Sequence, residues 1–228
     1  VKSIFHTEKI NGDFQYFDKI DKIILDKNLD VIFVCLPNYM IKDAVIASLN
    51  NGKHVFAEKP PGISSDEVKQ MIIAEKNTKK ILKFGFNHRW HPAIMRAKEL
   101  VESTSFGDIL WMRGRYGKSV DSSFFNTWRS KKELAGGGIL LDQGIHMLDL
   151  FIMFGGNFDS VKAEVSNSYF KISSSSEVSS DIYYVVIEGN TTKPYYLNYD
   201  NIYRGYSFEQ YALEMRNLLV LEQKLLFK

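Results

Sequence analysis

The chain has 228 residues, 45% of them hydrophobic, which is enough for one sizeable core or two modest domains and excludes disorder. Lys and Arg number 29 against 27 Asp and Glu, a net charge of +2, and the signs are interspersed, so nucleic acid is not an expected partner. No segment reaches the roughly 18 continuous apolar residues of a membrane span, and Val1-Lys-Ser-Ile-Phe-His6 is too polar for a secretory signal; no membrane partner is expected, and the cytoplasm is the expected location.

Taken in chain order, the first clear element is Asp30-Val-Ile-Phe-Val-Cys-Leu36, a continuous apolar run bounded by an acid and a proline. It reads as a strand buried on both faces of a parallel sheet, with Cys35 as a small buried hydrophobe. Ile41, Ala44, Val45, Ser48 and Leu49 then recur at helical spacing, and Asn50-Asn51-Gly52 supplies a left-handed stop. Lys53 to Ala57 reads as a strand. Ser64-x-x-Glu67 is a capping box opening a helix with Val68, Met71 and Ile72 on one face, and Ile81 to Phe86 is a third strand. Alternation of strand and helix with short connections predicts right-handed crossovers in a Rossmann-type parallel sheet.

After Arg89 the texture changes. The expected elements are a helix from Pro92, a strand around Ile109 to Tyr116, a polar loop, and a glycine run Gly136-Gly137-Gly138 leading into a helix from about Leu141. Strands near Ser160 to Phe170 and Asp181 to Glu188 follow, with Ser173 to Ser176 as a loop and a helix from Ser207 onward. The fold class is therefore α/β plus α+β. Residues 1–89 form a truncated Rossmann-type domain, and residues 90–228 form a mixed, mostly antiparallel sheet domain. Tyr183, Tyr184, Tyr195, Tyr196 and Tyr199 are read as core or interface aromatics.

Ligands of open parallel sheets bind beyond the carboxyl ends of the strands. Three such ends carry polar residues: Leu36-Pro37-Asn38, Glu58-Lys59-Pro60 and Asn87-His88-Arg89. Asp142, His146 and Asp149 fall within about 60° of one another on a helix turning about 100° per residue. Leu141, Ile145, Leu148 and Ile152 flank that stripe on one side and Met147, Leu150 and Phe154 on the other, so the helix has no solvated face. Charged groups on it must be paired or functional, because burying them alone is costly. A structural histidine–carboxylate pair and a catalytic one both satisfy that condition. His88 and His91 stand three apart without a supporting cysteine or acid cluster, so no metal site is expected. The triple glycine reads as a flexible approach to the helix rather than a phosphate cradle.

Several blocks in order carry a resemblance. They are Leu36-Pro37-Asn38, Gly52-Lys53-His54-Val55 leading to Glu58-Lys59-Pro60, Asn87-x-Arg89, Trp128-Arg129 before the glycines, and Asp142-x-Gly144-x-His146-x-x-Asp149. Together they resemble the glucose-fructose oxidoreductase, inositol dehydrogenase and rhizopine-catabolism (Gfo/Idh/MocA) oxidoreductase family, from about Asp30 to Phe170. The resemblance implies a hydride transfer between NAD or NADP and a hydroxyl carbon of a sugar, sugar nucleotide or cyclitol. It implies Lys59, Asp142 and His146 as catalytic residues, with Lys59 binding the substrate hydroxyl and Asp142 and His146 orienting the substrate and moving its proton. Leu36, Pro37, Asn38, Glu58, Lys59, Asn87, Trp128 and Arg129 are the implied cofactor-binding residues, and a homo-oligomer is the implied assembly. The chemistry is consistent, since oxidising an alcohol needs a base that works near neutral pH and a cation for the developing alkoxide.

The pattern departs from the family in one major respect. A first strand, a G-x-G-x-x-G turn and its helix are expected before Asp30 in the family pattern, and none of the three is read there, so the Rossmann half is taken to lack its first strand and glycine loop. Position 41, often histidine in the family pattern, is Ile41. The chain also opens on Val1 rather than Met, as a segment of a longer protein would. Two readings stay open: a piece of a complete dehydrogenase, or a non-catalytic ligand-binding or regulatory member of the same fold. Weak or absent NAD(P) binding is expected of these residues by themselves.

Overall fold

The computed structural model describes residues 3–6, 12–103, 107–115, 122–138, 140–170, 178–189 and 194–200. Its first elements lie in a stretch to which the sequence pattern assigned none. Strand β1 (Ser3–Phe5) pairs in parallel with β2 (Gln15–Phe17) as a separate two-stranded sheet, and α1 (Ile20–Ile24) follows.

The parallel sheet is built from β3 (Val31–Val34), β4 (His54–Ala57) and β5 (Leu82–Phe84), in that spatial order. Its crossovers are α2 (Asn38–Asn50) and α3 (Ser65–Thr78). The apolar positions expected of α2, Ile41, Ala44, Val45 and Leu49, are buried, and the helix stops at Gly52 with φ +76°. Ser64 caps α3, its Oγ accepting from the Glu67 amide at 3.3 Å. The reciprocal bond is displaced by one residue, because the Glu67 carboxylate accepts from the Ile63 amide at 2.8 Å. Lys53, between α2 and β4, is buried and donates to the carbonyl oxygens of Asp26 and Leu29 at 2.6 and 2.7 Å. This lysine ties the turn after α1 to the start of β4.

One expectation fails here. Strand β3 is not covered on both faces: Ile32 and Val34 are buried, but Val31 is 48% and Phe33 70% exposed. Phe56 of β4 lies beside Phe33, ring centroids 5.5 Å apart, on the same exposed face. The reason is topological. Strands laid down in sequential spatial order by right-handed crossovers send successive helices to the same face; covering the other face needs a reversal of strand order. Cys35, two residues past Phe33 and so on the same open face, is likewise exposed rather than buried.

Beyond β5, a 3₁₀ turn (Asn87–Trp90) leads into α4 (Pro92–Glu102), capped by His91, whose Nδ1 accepts from the Ala93 amide at 3.2 Å. Strand β6 is only Arg113–Arg115, shorter than expected, and Tyr116 lies outside the described residues. After 3₁₀ turns at Ser122–Asn126 and Trp128–Ser130 come the short α5 (Lys132–Ala135), a π-helical turn (Leu140–Gly144) and α6 (Ile145–Gly155). The π-turn carries Asp142 and shifts it from the regular 100° phase used in the sequence reading. Strands β7 (Phe158–Phe170), β8 (Val178–Gly189) and β9 (Pro194–Asp200) complete a four-stranded sheet of order β6-β9-β8-β7. Only the β6–β9 pair is parallel, so the sheet is mixed and mostly antiparallel, as expected. The serine loop at Ser173 to Ser176 and the helix expected from Ser207 lie outside the described residues.

The core runs without interruption from the parallel sheet into α6, where Ile145, Leu148, Phe151 and Ile152 join Ile41, Leu49, Val68 and Met71. Each side chain of this size, once buried, contributes about 1.5–3 kcal/mol. By length and composition the helical run Lys132–Gly155 could cross a membrane, but most of it is buried inside the fold, as a core helix is. Gly114 lets β6 approach α6 closely: a Cβ there would meet Met147 Sδ at 2.9 Å and Phe151 Cζ at 3.1 Å.

Candidate active site

The ends of β3 and β4 and the start of α6 converge on one cavity of about 300 Å³. Eight of the residues singled out from sequence line it: Leu36, Pro37, Asn38, Glu58, Lys59, Trp128, Arg129 and Asp142. Cys35 lines it as well. Its thiol is pushed up, first by partial desolvation and then by the Glu58 carboxylate. Asn87 is exposed, and neither it nor His146 is among the lining residues.

Lys59 is delivered by the loop that follows β4. Its ammonium donates to the Asp142 carboxylate at 3.1 Å and to the carbonyl oxygen of the same residue, 83 positions away in the chain. Gln143 Nε2 donates to the other carboxylate oxygen at 3.0 Å. Both side chains keep some exposure, 16% for Lys59 and 23% for Asp142, so the pair faces the cavity rather than being sealed in the core. The Lys59 loop is braced from behind by Glu67, whose carboxylate holds the Ile63 amide. It is braced from the front by the glycine run. Gly136 has φ +87°, and a Cβ there would meet the Ile63 carbonyl oxygen at 2.6 Å. The triple glycine is therefore not simply a flexible approach to the helix: Gly136 allows a close backbone approach to the loop that carries Lys59.

His146 is buried, with 4% of its surface exposed. Phe86 meets its ring edge-on at 6.2 Å and 83°, and His88 stacks on it with centroids 3.9 Å apart and planes 20° apart. Burial, and then the charges of His88 and Lys59, push its pKa down from 6.5 to about 4, with Asp142 pulling the other way. At neutral pH His146 is therefore uncharged, but it is a weaker base than an ordinary imidazole. Burial thus takes His146 below the near-neutral range expected of a base for alcohol oxidation.

Asp149, the third member of the polar stripe, is structural. It is fully buried and accepts from both Nε (2.7 Å) and Nη2 of Arg89. The arginine of the Asn87-x-Arg89 block thus anchors the 3₁₀ turn to α6, a pairing that residues 60 apart do not announce in sequence. Burial raises the Asp149 pKa, with Arg89 opposing. Asn38 also has a fastening role: its buried amide donates to the Ala135 carbonyl at 2.9 Å, joining the start of α2 to α5. Trp128 sits edge-to-face with Tyr39 at 6.5 Å and beneath the Arg129 guanidinium at 4.4 Å. This places a planar cation and an aromatic face at the rim of the cavity.

Comparison with known proteins bears directly on this arrangement. Residues 5–86 match a family model described as an oxidoreductase family with an NAD-binding Rossmann fold. Residues 94–188 match the model of the GFO/IDH/MocA C-terminal domain. The chain is 34% identical over 146 residues to a levoglucosan dehydrogenase of Pseudarthrobacter phenanthrenivorans, covering 63% of this chain and 37% of that protein. It is 30% identical over 161 residues to the D-glucoside 3-dehydrogenase of Escherichia coli, covering 71% of this chain and 45% of that protein. The matched region thus spans less than half the length of either relative. A solved structure of levoglucosan dehydrogenase in complex with NADH and levoglucosan superposes with a TM-score of 0.74 at 26% identity, covering 86% of this chain and 56% of that one. Two adjoining family matches, the ordered motifs and the shared fold establish that the chain belongs to the Gfo/Idh/MocA oxidoreductase family.

Proposed function

We propose that these residues form the acid–base part and the nicotinamide end of an NAD(P)-dependent dehydrogenase acting on a hydroxyl carbon of a sugar, sugar nucleotide or cyclitol. One observation carries the reading: Lys59 and Asp142, 83 positions apart, meet at 3.1 Å on the wall of a cavity at the strand ends, with His146 one helical turn behind Asp142. The sugar substrates named for both relatives support the substrate class.

In this reading Lys59, held by the Asp142 carboxylate, donates a hydrogen bond to the substrate oxygen and stabilises negative charge developing there. Asp142 and Gln143 orient neighbouring hydroxyls. The O–H proton passes to neutral His146 as hydride leaves the carbinol carbon and the C–O bond becomes a carbonyl. Holding that proton at pH 7 is uphill by about 4 kcal/mol, from the three units between pH 7 and a pKa of about 4. Bound in the cavity, nicotinamide would supply the hydride acceptor. A volume of about 300 Å³ with an aromatic and cationic rim suits that end of the dinucleotide, and Leu36, Pro37, Asn38, Glu58, Trp128 and Arg129 are the residues to hold it. A small polyol substrate, self-association and a cytoplasmic setting complete the proposal.

Replacing Lys59 or His146 with Ala is expected to abolish turnover while leaving the far-UV circular dichroism unchanged. Full activity in either purified variant would sink the assignment. A second reading, ligand binding without turnover, is favoured by the lack of a G-x-G-x-x-G turn in these residues. Calorimetry with NADH and NADPH and a panel of sugars separates the two, because only the dehydrogenase reading needs the sugar to bind more tightly when nucleotide is present.

A further inference from the structure

His88 has no part in the mechanism above, yet it touches the group on which that mechanism depends. Its imidazole lies face to face with that of His146, centroids 3.9 Å apart and planes 20° apart, while Phe86 closes the ring from another side. Both contacts come from the short stretch after β5, which Arg89 pins to α6 through Asp149. The clamp is therefore rigidly seated. The contact His88 makes at the site is the stack on His146, so any influence it has on the chemistry passes through that ring.

We propose that His88 is a positioning residue for His146: it holds the plane of the His146 ring and, by competing for the same proton, keeps His146 in its neutral, proton-accepting form. Two imidazoles in stacking contact cannot comfortably both be cations, since like charges this close disfavour each other's ionisation. His88 is the less buried of the two, so a proton added to the pair falls on it and not on His146. The stack passes this influence as charge between ring faces, and it sets the ring orientation at the same time.

All but one of the surrounding charges that act on the two rings lower their proton affinity. Lys59, from the loop after β4, lowers the proton affinity of both rings, and His91, ahead of α4, lowers that of His88. Asp142, from the π-turn, acts on His146 in the opposite sense. Arg89 and Asp149 neutralise each other beside the pair. Burial is the largest influence on His146, and the His88 charge ranks next, ahead of Lys59.

The functional half of this proposal rests on His146 being the proton acceptor, whereas the coupling of the two rings does not. The test is an NMR titration of the histidine Cε1–Hε1 resonances without substrate, in the wild type, H88F and H88Q. The chain has five histidines, so single substitutions assign them. In the wild type the pair titrates in two coupled steps. In H88F, which keeps a flat ring but no charge, His146 titrates in one step with its midpoint raised by about half a pH unit or more. H88Q gives the same shift and stands in where phenylalanine is not accommodated. The acid limb of kcat/KM moves to higher pH in both variants with little change in KM. An unmoved His146 midpoint in H88F or H88Q overturns the proposal. If neither variant folds, a single-step His146 curve in the wild type overturns it and a two-step curve supports it. A shifted midpoint in a protein that turns over no sugar would leave the coupling standing and remove the dehydrogenase reading instead.

Discussion

Replacing Arg89 with Met keeps the aliphatic stem and removes the guanidinium that grips Asp149. Asp149 has 0% side-chain exposure and Arg89 10%, so the carboxylate would lose both guanidinium hydrogen bonds where water does not reach. Removing one member of a buried pair costs about 3–5 kcal/mol. The exposed pair Arg96–Glu99, at 68% and 62% exposure, serves as an internal control whose loss costs about 0.2–1 kcal/mol at most. With a urea dependence of about 2–3 kcal/mol per molar, the R89M midpoint is expected to fall by roughly 1–2 M. The sign with pH is set by Asp149. Burial already raises its pKa in the native state, and losing Arg89 raises it further. A carboxyl whose native pKa exceeds its unfolded value of about 3.9 contributes stability below that value and loses it as pH rises through the native pKa. The deficit of R89M is therefore largest at pH 7 and shrinks as the solution is acidified, and replacing Asp149 with Leu in the same chain recovers most of it. An R89M midpoint equal to that of the wild type at pH 7, or a deficit that does not change between pH 7 and 5, refutes this account.

Two further predictions concern stability. The His146 pKa falls from 6.5 to about 4 on folding, so the native state binds this proton less readily than the unfolded chain. The associated stability, about 3 kcal/mol, is present above pH 6.5 and lost as pH falls through 4; urea titrations across that window should show the loss, and H146F should flatten it. Gly136→Ala would press a methyl group to within 2.6 Å of the Ile63 carbonyl oxygen at φ +87° and is expected to cost about 1–3 kcal/mol. Because the contact is with the loop behind Lys59, KM for the sugar should rise too, and a fully stable, fully active G136A would contradict the close-approach role.

The features legible in sequence were those governed by neighbours a few residues apart. The burial of Ile41, Ala44, Val45 and Leu49 on α2 follows from helical spacing, the Ser64 cap from a bond across three residues, and the stop at Gly52 from its positive φ. The polar strand ends were also legible, because open parallel sheets expose their carboxyl ends to ligands, and eight of the residues singled out do meet at one cavity. Less visible were features that depend on which sheet face is covered and on how a turn is wound. Cys35 was taken for a buried residue because an apolar run does not show that one face of its strand stays open. β9, only seven residues from Pro194 to Asp200, carries its tyrosines without a clear alternation and was not placed. The π-turn that carries Asp142 was not legible either, because it looks like any other helical turn in one dimension.

Sequence by itself determined that a strand–helix–strand half precedes a mixed sheet, that a lysine stands at a strand end of the parallel sheet, and that the helix bearing an aspartate and a histidine has no solvated face. Tertiary structure alone decided how the charges are divided among partners. Lys59 takes Asp142 from 83 residues away, Arg89 takes Asp149 from 60, and Asn38 takes the Ala135 carbonyl from 97. It also decided that His146 is buried beneath His88, and hence that its proton affinity is far below that of a free imidazole. The physical reason is the same in each case. Helical spacing and caps are set by interactions within a turn or two of chain, whereas ionisation and ion pairing depend on the local dielectric and on charges within a few ångströms, which only the folded packing of distant segments supplies.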